Sequence, residues 1–154
     1  MTDDTVQVGL PVESDNELLT TTEMSEEDQL KALLQVDGAA LPTSTGSIKR
    51  LGIRFKIFAL REEDIVRLRS QATRTMTNRR GSEEKFNTVE FNRALCVKGT
   101  DIPFGAAALM KKYGAAEPVD VVAKMLLAGE QINLAEAILN VSGYFTEIED
   151  LKNE

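Results

Sequence analysis

The most constraining feature of this sequence is a switch of hydrophobic period between residues 48 and 75 (IKRLGIRFKIFALREEDIVRLRSQATRT). Apolar residues first alternate with other residues, which is the pattern of a β-strand with one buried face. The residues that share this face are Leu51, Ile53, Phe55, Ile57 and Ala59. Polar residues at 61–64 follow, and the next apolar residues recur at helical spacing. The sequence therefore predicts a strand that leads directly into an amphipathic helix.

The predicted helix has an apolar face and a basic face. Its apolar positions are Ile65, Leu68, Ala72 and Met76, whereas the other face carries Arg67, Arg69 and Arg74. Acidic residues at 62–64 lie in the first turn, where the helix dipole favours them. The following segment, 73–85, is polar and contains a double arginine and a glycine. Such a composition predicts a mobile loop.

The predicted strand needs a pairing partner, because its backbone N–H and C=O groups must be hydrogen-bonded once they are buried. The best candidate within the chain is Val6–Val12, which is interrupted by Gly9 and Pro11. The segment 38–47 (GAALPTSTGS) is small, polar and rich in turn formers, which predicts a flexible linker instead of a strand. The partner of the strand is therefore left open by the sequence.

Helix signals dominate the rest of the chain. Asn87 and Glu90 form a capping box, with Phe86 and Phe91 at the positions of a hydrophobic staple, so a helix is predicted to start at Thr88. Further helices are predicted over 102–113, from Pro118 to Gly129, and after a second N-x-x-E box at Asn133. The expected fold is mainly α: a small helical domain of about five or six short helices, with one β-strand or hairpin near its N-terminal side.

The residue composition argues against catalysis and against bound cofactors. The chain has no histidine and a single cysteine, Cys96, so the commonest metal ligand and general base are missing and no intrachain disulfide can form. No glycine-rich phosphate loop is present, and no stretch approaches the roughly 18 apolar residues of a membrane span. We therefore expect a non-enzymatic, cytosolic protein with no metal, no cofactor and no membrane contact.

Charge is unevenly distributed and suggests the domain organisation. Residues 1–47 hold ten acids and one base, residues 48–100 hold thirteen bases and six acids, and residues 101–154 hold nine acids and four bases. The pattern predicts a disordered acidic arm over 1–24, a short helix and flexible linker over 25–47, the main domain over 48–146, and an acidic tail over 147–154. The basic middle can face an acidic partner, nucleic acid, or the acidic flanks of its own chain.

The apolar positions and turns of this chain resemble a known family. The strand and helix of residues 48–74, the capped helix that follows Asn87, the L-x-K-Y-G turn at Leu109–Gly114 and the segment 124–144 (KMLLAGEQINLAEAILNVSGY) are together similar to XkdN-like tail assembly chaperones of long-tailed bacteriophages and prophages. The resemblance covers about residues 25–146. The chain departs from the family at Arg61, where a Thr or Ser helix cap is usual, and over 96–105, where the family has an acidic stretch.

The resemblance implies a non-catalytic protein that binds the phage tape measure protein in the cytoplasm of the bacterial host. It implies absence from the mature virion, and it leaves contact with the tail tube protein and homo-oligomerisation open. The candidate partner-binding residues are Leu30, Leu33, Leu34, Arg67, Arg74, Arg79 and Arg80. The three leucines form the narrow apolar stripe of a short helix that follows Ser25, and such a stripe can equally dock on its own domain.

Two other functions are consistent with parts of the sequence. A structural tail or neck component would be retained in the particle. A nucleic-acid-binding protein would use the basic segment 49–80, but the overall acidity, with a pI near 4.8, and the lack of aromatic residues between the arginines argue against it.

Overall fold

The computed structural model describes residues 23–38 and 40–145. These residues fall into two compact units, one that ends at residue 40 and one that begins at Leu41. The elements, in chain order, are helix α1 (Glu26–Leu34), strand β1 (Thr43–Ile48), a 3-10 turn (Lys49–Leu51), β2 (Ile53–Phe58), α2 (Glu62–Gln71), β3 (Thr73–Asn78), β4 (Gly81–Phe86), α3 (Thr88–Lys98), α4 (Ala107–Tyr113), α5 (Pro118–Met125) and α6 (Ala128–Val141). The predicted disordered arm and acidic tail lie outside the described residues, apart from 23 and 24.

Helix α1 is the regular element in the described part of the first unit. Ser25 is its N-cap, and the Ser25 hydroxyl accepts a hydrogen bond from the backbone N–H of Asp28 at 3.1 Å. Three acidic residues in the first turn and a lysine in the last complement the helix dipole. None of its residues is buried. The short capped helix predicted from the sequence is thus present.

Strand β2 pairs with β1 in an antiparallel hairpin. The register runs from Thr43 opposite Phe58 to Ile48 opposite Ile53. The chain turns through the 3-10 segment and Gly52, whose φ of 68° is favoured only for glycine and a few polar residues. The prediction of a flexible linker over 38–47 is therefore wrong from Thr43 onward. The alternative partner, Val6–Val12, lies outside the described residues.

A short extended segment extends this sheet at the free edge of β2. Thr100 forms a β-bridge with Ile57, and the N–H of Phe58 donates to the carbonyl of Gly99 at 2.8 Å. The carboxylate of Asp101 accepts from the N–H of Lys56 at 2.9 Å. The segment 99–101, which follows α3, thus covers the edge of β2.

Helix α2 ends earlier than predicted, and a second hairpin follows it. The helix stops at Gln71, so Met76 lies in a strand and not on the helix. Strands β3 and β4 pair antiparallel from Thr73 opposite Phe86 to Asn78 opposite Gly81. The prediction of a mobile loop over 73–85 is therefore wrong. Alternating threonines supply the β-propensity, and a two-residue turn closes the ribbon.

The start of α3 agrees with the sequence prediction. The side chain of Asn87 accepts a hydrogen bond from the N–H of Glu90 at 3.0 Å, and the helix begins at Thr88. The rings of Phe86 and Phe91 pack with their centroids 5.4 Å apart. The guanidinium group of Arg69 lies 5.3 Å and 5.2 Å from the two ring centroids, which ties α2 to this corner.

The last helix begins six residues before the predicted position. Helix α6 starts at Ala128, and the carboxylate of Glu130 caps it by accepting from the N–H of Leu127 at 2.8 Å. Asn133 therefore lies inside the helix, and its predicted capping role is wrong. Pro118 opens α5 as predicted, and Gly114 ends α4 in the left-handed region with φ 61°.

The core lies where α3, α5, α6 and the β1–β2 hairpin meet. Its most completely buried members are Phe104, Ile65, Leu95, Ile138, Val121, Val122 and Cys96. Two antiparallel two-stranded sheets accompany six α-helices among the described residues, so the fold is α+β. The prediction of a mainly α, or all-α, domain with one strand or hairpin is wrong, because the polar segments 43–48 and 73–86 form strands that hydrophobic periodicity does not reveal.

Candidate partner-binding surfaces

The three candidate leucines form an uncovered stripe on α1. Leu30, Leu33 and Leu34 are 55%, 68% and 76% exposed. They recur at helical spacing and so share one side of the helix, where i, i+3 and i+4 positions are neighbours. An exposed apolar stripe of this kind is what a partner helix or groove can cover.

The four candidate arginines divide into two that are paired and two at a turn. Arg67 lies 3.2 Å from the carboxylate of Asp64, and Arg74 lies 3.0 Å from that of Glu90. Arg79 and Arg80 occupy the turn of the β3–β4 hairpin and are exposed. The three arginines Arg74, Arg79 and Arg80 thus belong to one hairpin, but Arg74 lies near its base and the other two at its turn. Arg67 lies on α2, and the leucines belong to the first unit.

The β3–β4 hairpin presents nearly all of its side chains to solvent. Only Thr73 among its twelve strand residues is half-buried. Within the described chain, no third strand lies beside β3 or β4. Sequence analysis missed this element, although a two-residue turn between Asn78 and Gly81 flanked by alternating threonines was the available signal.

Two apolar grooves lie in the second unit, beside the β1–β2 hairpin. The first has a volume of about 400 Å³ and is lined by Gly46, Ser47, Ile48, Lys49, Arg50, Phe55, Ile57, Glu130, Asn133, Leu134 and Ala137. The second, of about 340 Å³, is lined by Leu51, Ile53, Arg54, Phe55, Asp101, Ile102, Pro103, Leu109, Lys112, Tyr113 and Met125. None of these residues is among the seven predicted from the sequence to bind a partner protein.

Gly46 keeps the first groove open. A Cβ atom at this position would lie 2.9 Å from the ring of Phe55 and 3.0 Å from Ile57, closer than side-chain atoms normally approach. Phe55 lines both grooves and forms part of their common wall. The charged residues of the lining are Lys49 and the paired Arg50 and Glu130 in the first groove. In the second they are Arg54, Lys112 and Asp101, so basic groups outnumber acidic ones in both. Such a surface suits an amphipathic segment with acidic residues beside its apolar stripe.

An ion pair holds the β1–β2 turn against the start of α6. Arg50 donates to both carboxylate oxygens of Glu130, at 2.7 Å and 2.9 Å, and to the carbonyl of Met125 at 2.9 Å. These hydrogen bonds from Arg50, together with that from the N–H of Leu127, lower the pKa of Glu130 to about 2. The same pair raises the pKa of Arg50. The turn beside the two grooves is thus fixed in position.

A family comparison now identifies the protein class. The model of the family described as phage XkdN-like tail assembly chaperone protein matches residues 30–154. The chain belongs to this family. The matched range contains all seven candidate residues, both hairpins and both grooves of this tail assembly chaperone. Membership implies that the chaperone interacts with phage tail proteins.

Similarity to solved structures is weaker. A crystal structure of the protein yqbn is similar to the chaperone with 19% sequence identity over 70% of this chain and 92% of that chain, and with a TM-score of 0.49. No curated protein matches the chain.

Two kinds of site are missing from the part of the chaperone that the structure describes. Its described helices include none that is long and apolar enough to cross a membrane. Over the same residues, no group of three or more His, Cys, Asp or Glu side chains could hold a metal ion. The single thiol, Cys96, is buried, and burial raises its pKa to about 12.

Proposed function

We propose that this chaperone binds the tape measure protein of its phage and keeps it soluble until the tail tube polymerises around it. In this proposal it acts without catalysis in the cytoplasm of the bacterial host and is absent from the mature virion. The tail tube protein is a second candidate partner, since it replaces the chaperone on the tape measure. Membership of the tail assembly chaperone family supports the proposal.

The observation that carries the proposal is the pair of apolar grooves with basic groups in their lining. A tape measure protein is a long helical polypeptide whose exposed apolar stripes would self-associate if they stayed uncovered. A groove with an apolar floor can cover one turn or two of such a stripe, and lysine and arginine at its edge can face acidic residues beside the stripe.

The leucine stripe of α1 and the arginines of the second hairpin supply further contacts in this proposal. Leu30, Leu33 and Leu34 offer an apolar surface to a helix. Arg79 and Arg80 are exposed at the turn, and their guanidinium groups form no ion pair with the described residues. Arg67 and Arg74 already contact carboxylates, so a partner must compete with Asp64 and Glu90 for them. We therefore expect those two arginines to contribute less to binding.

The basic segment 49–80 gives less support to nucleic-acid binding. Arg50, Arg67 and Arg74 each pair with a carboxylate of the chain itself. Basic side chains bind nucleic acid by neutralising its phosphates and displacing the counter-ions there. Arginines that are already paired with carboxylates are less available for this.

Co-expression with the tape measure protein tests the proposal. The tape measure should precipitate alone and elute with the chaperone as one soluble complex in size-exclusion chromatography with light scattering. The double variant Arg54→Glu/Lys112→Glu, which reverses the charge at the second groove, should lose roughly tenfold or more in affinity, about 1.4 kcal/mol. The control Lys98→Glu/Lys111→Glu makes the same charge change at exposed positions outside both grooves and should bind normally.

Three results would redirect the proposal. A tape measure protein that stays insoluble and does not co-elute would contradict the proposed chaperone activity. Retention of the protein in purified particles would favour a structural tail component. Salt-sensitive retardation of DNA would favour nucleic-acid binding through 49–80.

A further inference from the structure

Among the described residues, both edges of the β3–β4 hairpin lack a neighbouring strand, and small proteins do not normally leave such edges uncovered. Two-stranded ribbons are marginally stable alone, and each free edge presents a row of backbone N–H and C=O groups. The described residues place no strand next to either edge. Within the described part of the second unit, the outer backbone N–H and C=O groups of both β3 and β4 are therefore available to pair with another strand.

The two edges differ in how well they resist pairing with another strand. Proteins protect exposed edges with charged side chains, prolines or bulges. Strand β4 carries three charges in its centre (GSEEKF), whereas β3 (TRTMTN) has one charged residue, Arg74, near its base. Arg74 is already held by Glu90 at 3.0 Å. The centre of β3 thus consists of Thr75, Met76 and Thr77, which are good or neutral strand formers without charge.

The sequence of β3 is complementary to itself in an antiparallel arrangement. A twofold axis perpendicular to the sheet and centred on Met76 places the two Met76 side chains opposite each other, Thr75 opposite Thr77, and Arg74 opposite Asn78. No like charges meet. A methionine that is 52% exposed gains an apolar neighbour.

The same operation on β4 brings like charges together. Centred on Glu84, it places the two Glu84 carboxylates opposite each other. Centred on Glu83, it does the same for Glu83. Like charges directly opposite one another destabilise a strand pair, so the charge pattern disfavours pairing through the centre of β4 and favours β3.

We propose that two copies of this chain associate through the outer edges of their β3 strands, antiparallel about Met76, to form a four-stranded sheet. This association needs no tape measure protein and therefore goes beyond the proposed function. The symmetry is that of an isologous dimer, in which the same edge serves both copies. The two hairpin turns, each with Arg79 and Arg80, then point in opposite directions.

Disulfide cross-linking tests which edge pairs. The Met76→Cys variant should form a covalent dimer under mild oxidation at low concentration, roughly tenfold faster than the Ser82→Cys variant, because pairing raises the effective thiol concentration. Ser82 is the matched control, since it is an exposed residue on the other strand of the same hairpin. Cys96 is fully buried and can be left in place. Equal rates for the two variants would overturn the proposal.

A charge variant tests the association without cross-linking. Within its own hairpin Met76 lies opposite Glu83, so Met76→Lys adds a favourable pair there while placing two lysines opposite each other across the proposed axis. We expect light scattering to give about twice the chain mass of 17.0 kDa for the wild type and for the Ser82→Lys control, and the single-chain mass for Met76→Lys. A wild type that is monomeric throughout, or a Met76→Lys variant that stays dimeric, would refute the inference.

Discussion

At the scale of single residues, Gly99 is a position where the core leaves no room for a side chain. A Cβ atom there would lie 2.6 Å from Cγ2 of Ile138, which is itself fully buried on α6. The side chain of Ile138 is confined by its neighbours and cannot move aside without strain. Gly99→Ala should therefore destabilise the protein by about 1–3 kcal/mol, as overpacking does elsewhere, measured by urea denaturation.

Gly129 provides the control for that experiment. It lies in the first turn of α6, and nothing would lie within 4 Å of an added Cβ. Because alanine favours helix and restricts the unfolded chain, Gly129→Ala should be neutral or stabilise by up to ~1 kcal/mol. A comparable loss of stability in both variants would show that the effect at Gly99 does not come from contact with Ile138.

The pairing of Glu130 with Arg50 predicts a pH dependence of stability. The pKa of Glu130 is about 2 in the folded protein, below its ordinary value of 4.5. A lowered folded-state pKa stabilises the protein above pH 4.5, and this contribution is lost as the pH falls towards 2. Glu130→Gln should therefore lower Tm at pH 7, and the difference from wild type should shrink on acidification.

The matched substitution for Glu130 is Glu136→Gln on the same helix. The side chain of Glu136 is exposed and forms no hydrogen bond or ion pair with the described residues. Its replacement should leave Tm nearly unchanged between pH 7 and pH 3 in thermal scans followed by circular dichroism. A variant of Glu130 whose Tm deficit is constant over this range would contradict the assigned pairing.

At the scale of elements, two asparagines with the same capping-box spacing differ in whether they cap a helix. Asn87 accepts from the N–H of Glu90, whereas Asn133 has the same N-x-x-E spacing but lies in the middle of α6. Asn87→Ala should cost about 1 kcal/mol, the usual effect of losing a cap. Asn133→Ala should be neutral or slightly stabilising, because alanine is the better residue inside a helix. If guanidinium titrations showed the same loss of stability for both variants, Asn133 would have to be a helix cap, and α6 would begin there.

At the scale of the whole molecule, the leucine stripe of α1 is separable from the core, whereas the two grooves share residues such as Phe55 with it. The core cluster is built from residues of the second unit, and the leucine stripe of α1 contributes nothing to it. Replacing Leu30, Leu33 and Leu34 by serine should leave Tm within about 1–2 °C of wild type, since exposed substitutions have small effects. The same variant should bind the tape measure protein roughly tenfold more weakly, about 1.4 kcal/mol. A clearly lower Tm, or an unchanged affinity for the tape measure protein, would contradict the assignment of the stripe as an exposed binding surface.

Whole-molecule architecture also explains which strands could be found from the sequence. Strand β2 packs one face on the core, so Phe55 and Ile57 give it a period of two that is visible in the sequence. Strands β1 and β4 present mostly polar side chains to solvent and have no such pattern. Pairing with a neighbour, and not hydrophobic periodicity, makes them strands.

Features that depend on neighbouring residues could be predicted from the amino-acid sequence alone. The cap at Asn87, the proline that opens α5, the glycine that ends α4 and the alternation along β2 are local, and each was predicted correctly. The family resemblance also followed from such patterns. Tertiary structure decided the pairing of β1 with β2, the β3–β4 hairpin, the start of α6 and the positions of the two grooves. These depend on contacts between residues far apart in the chain, such as Arg50 with Glu130, whose energies no local pattern records.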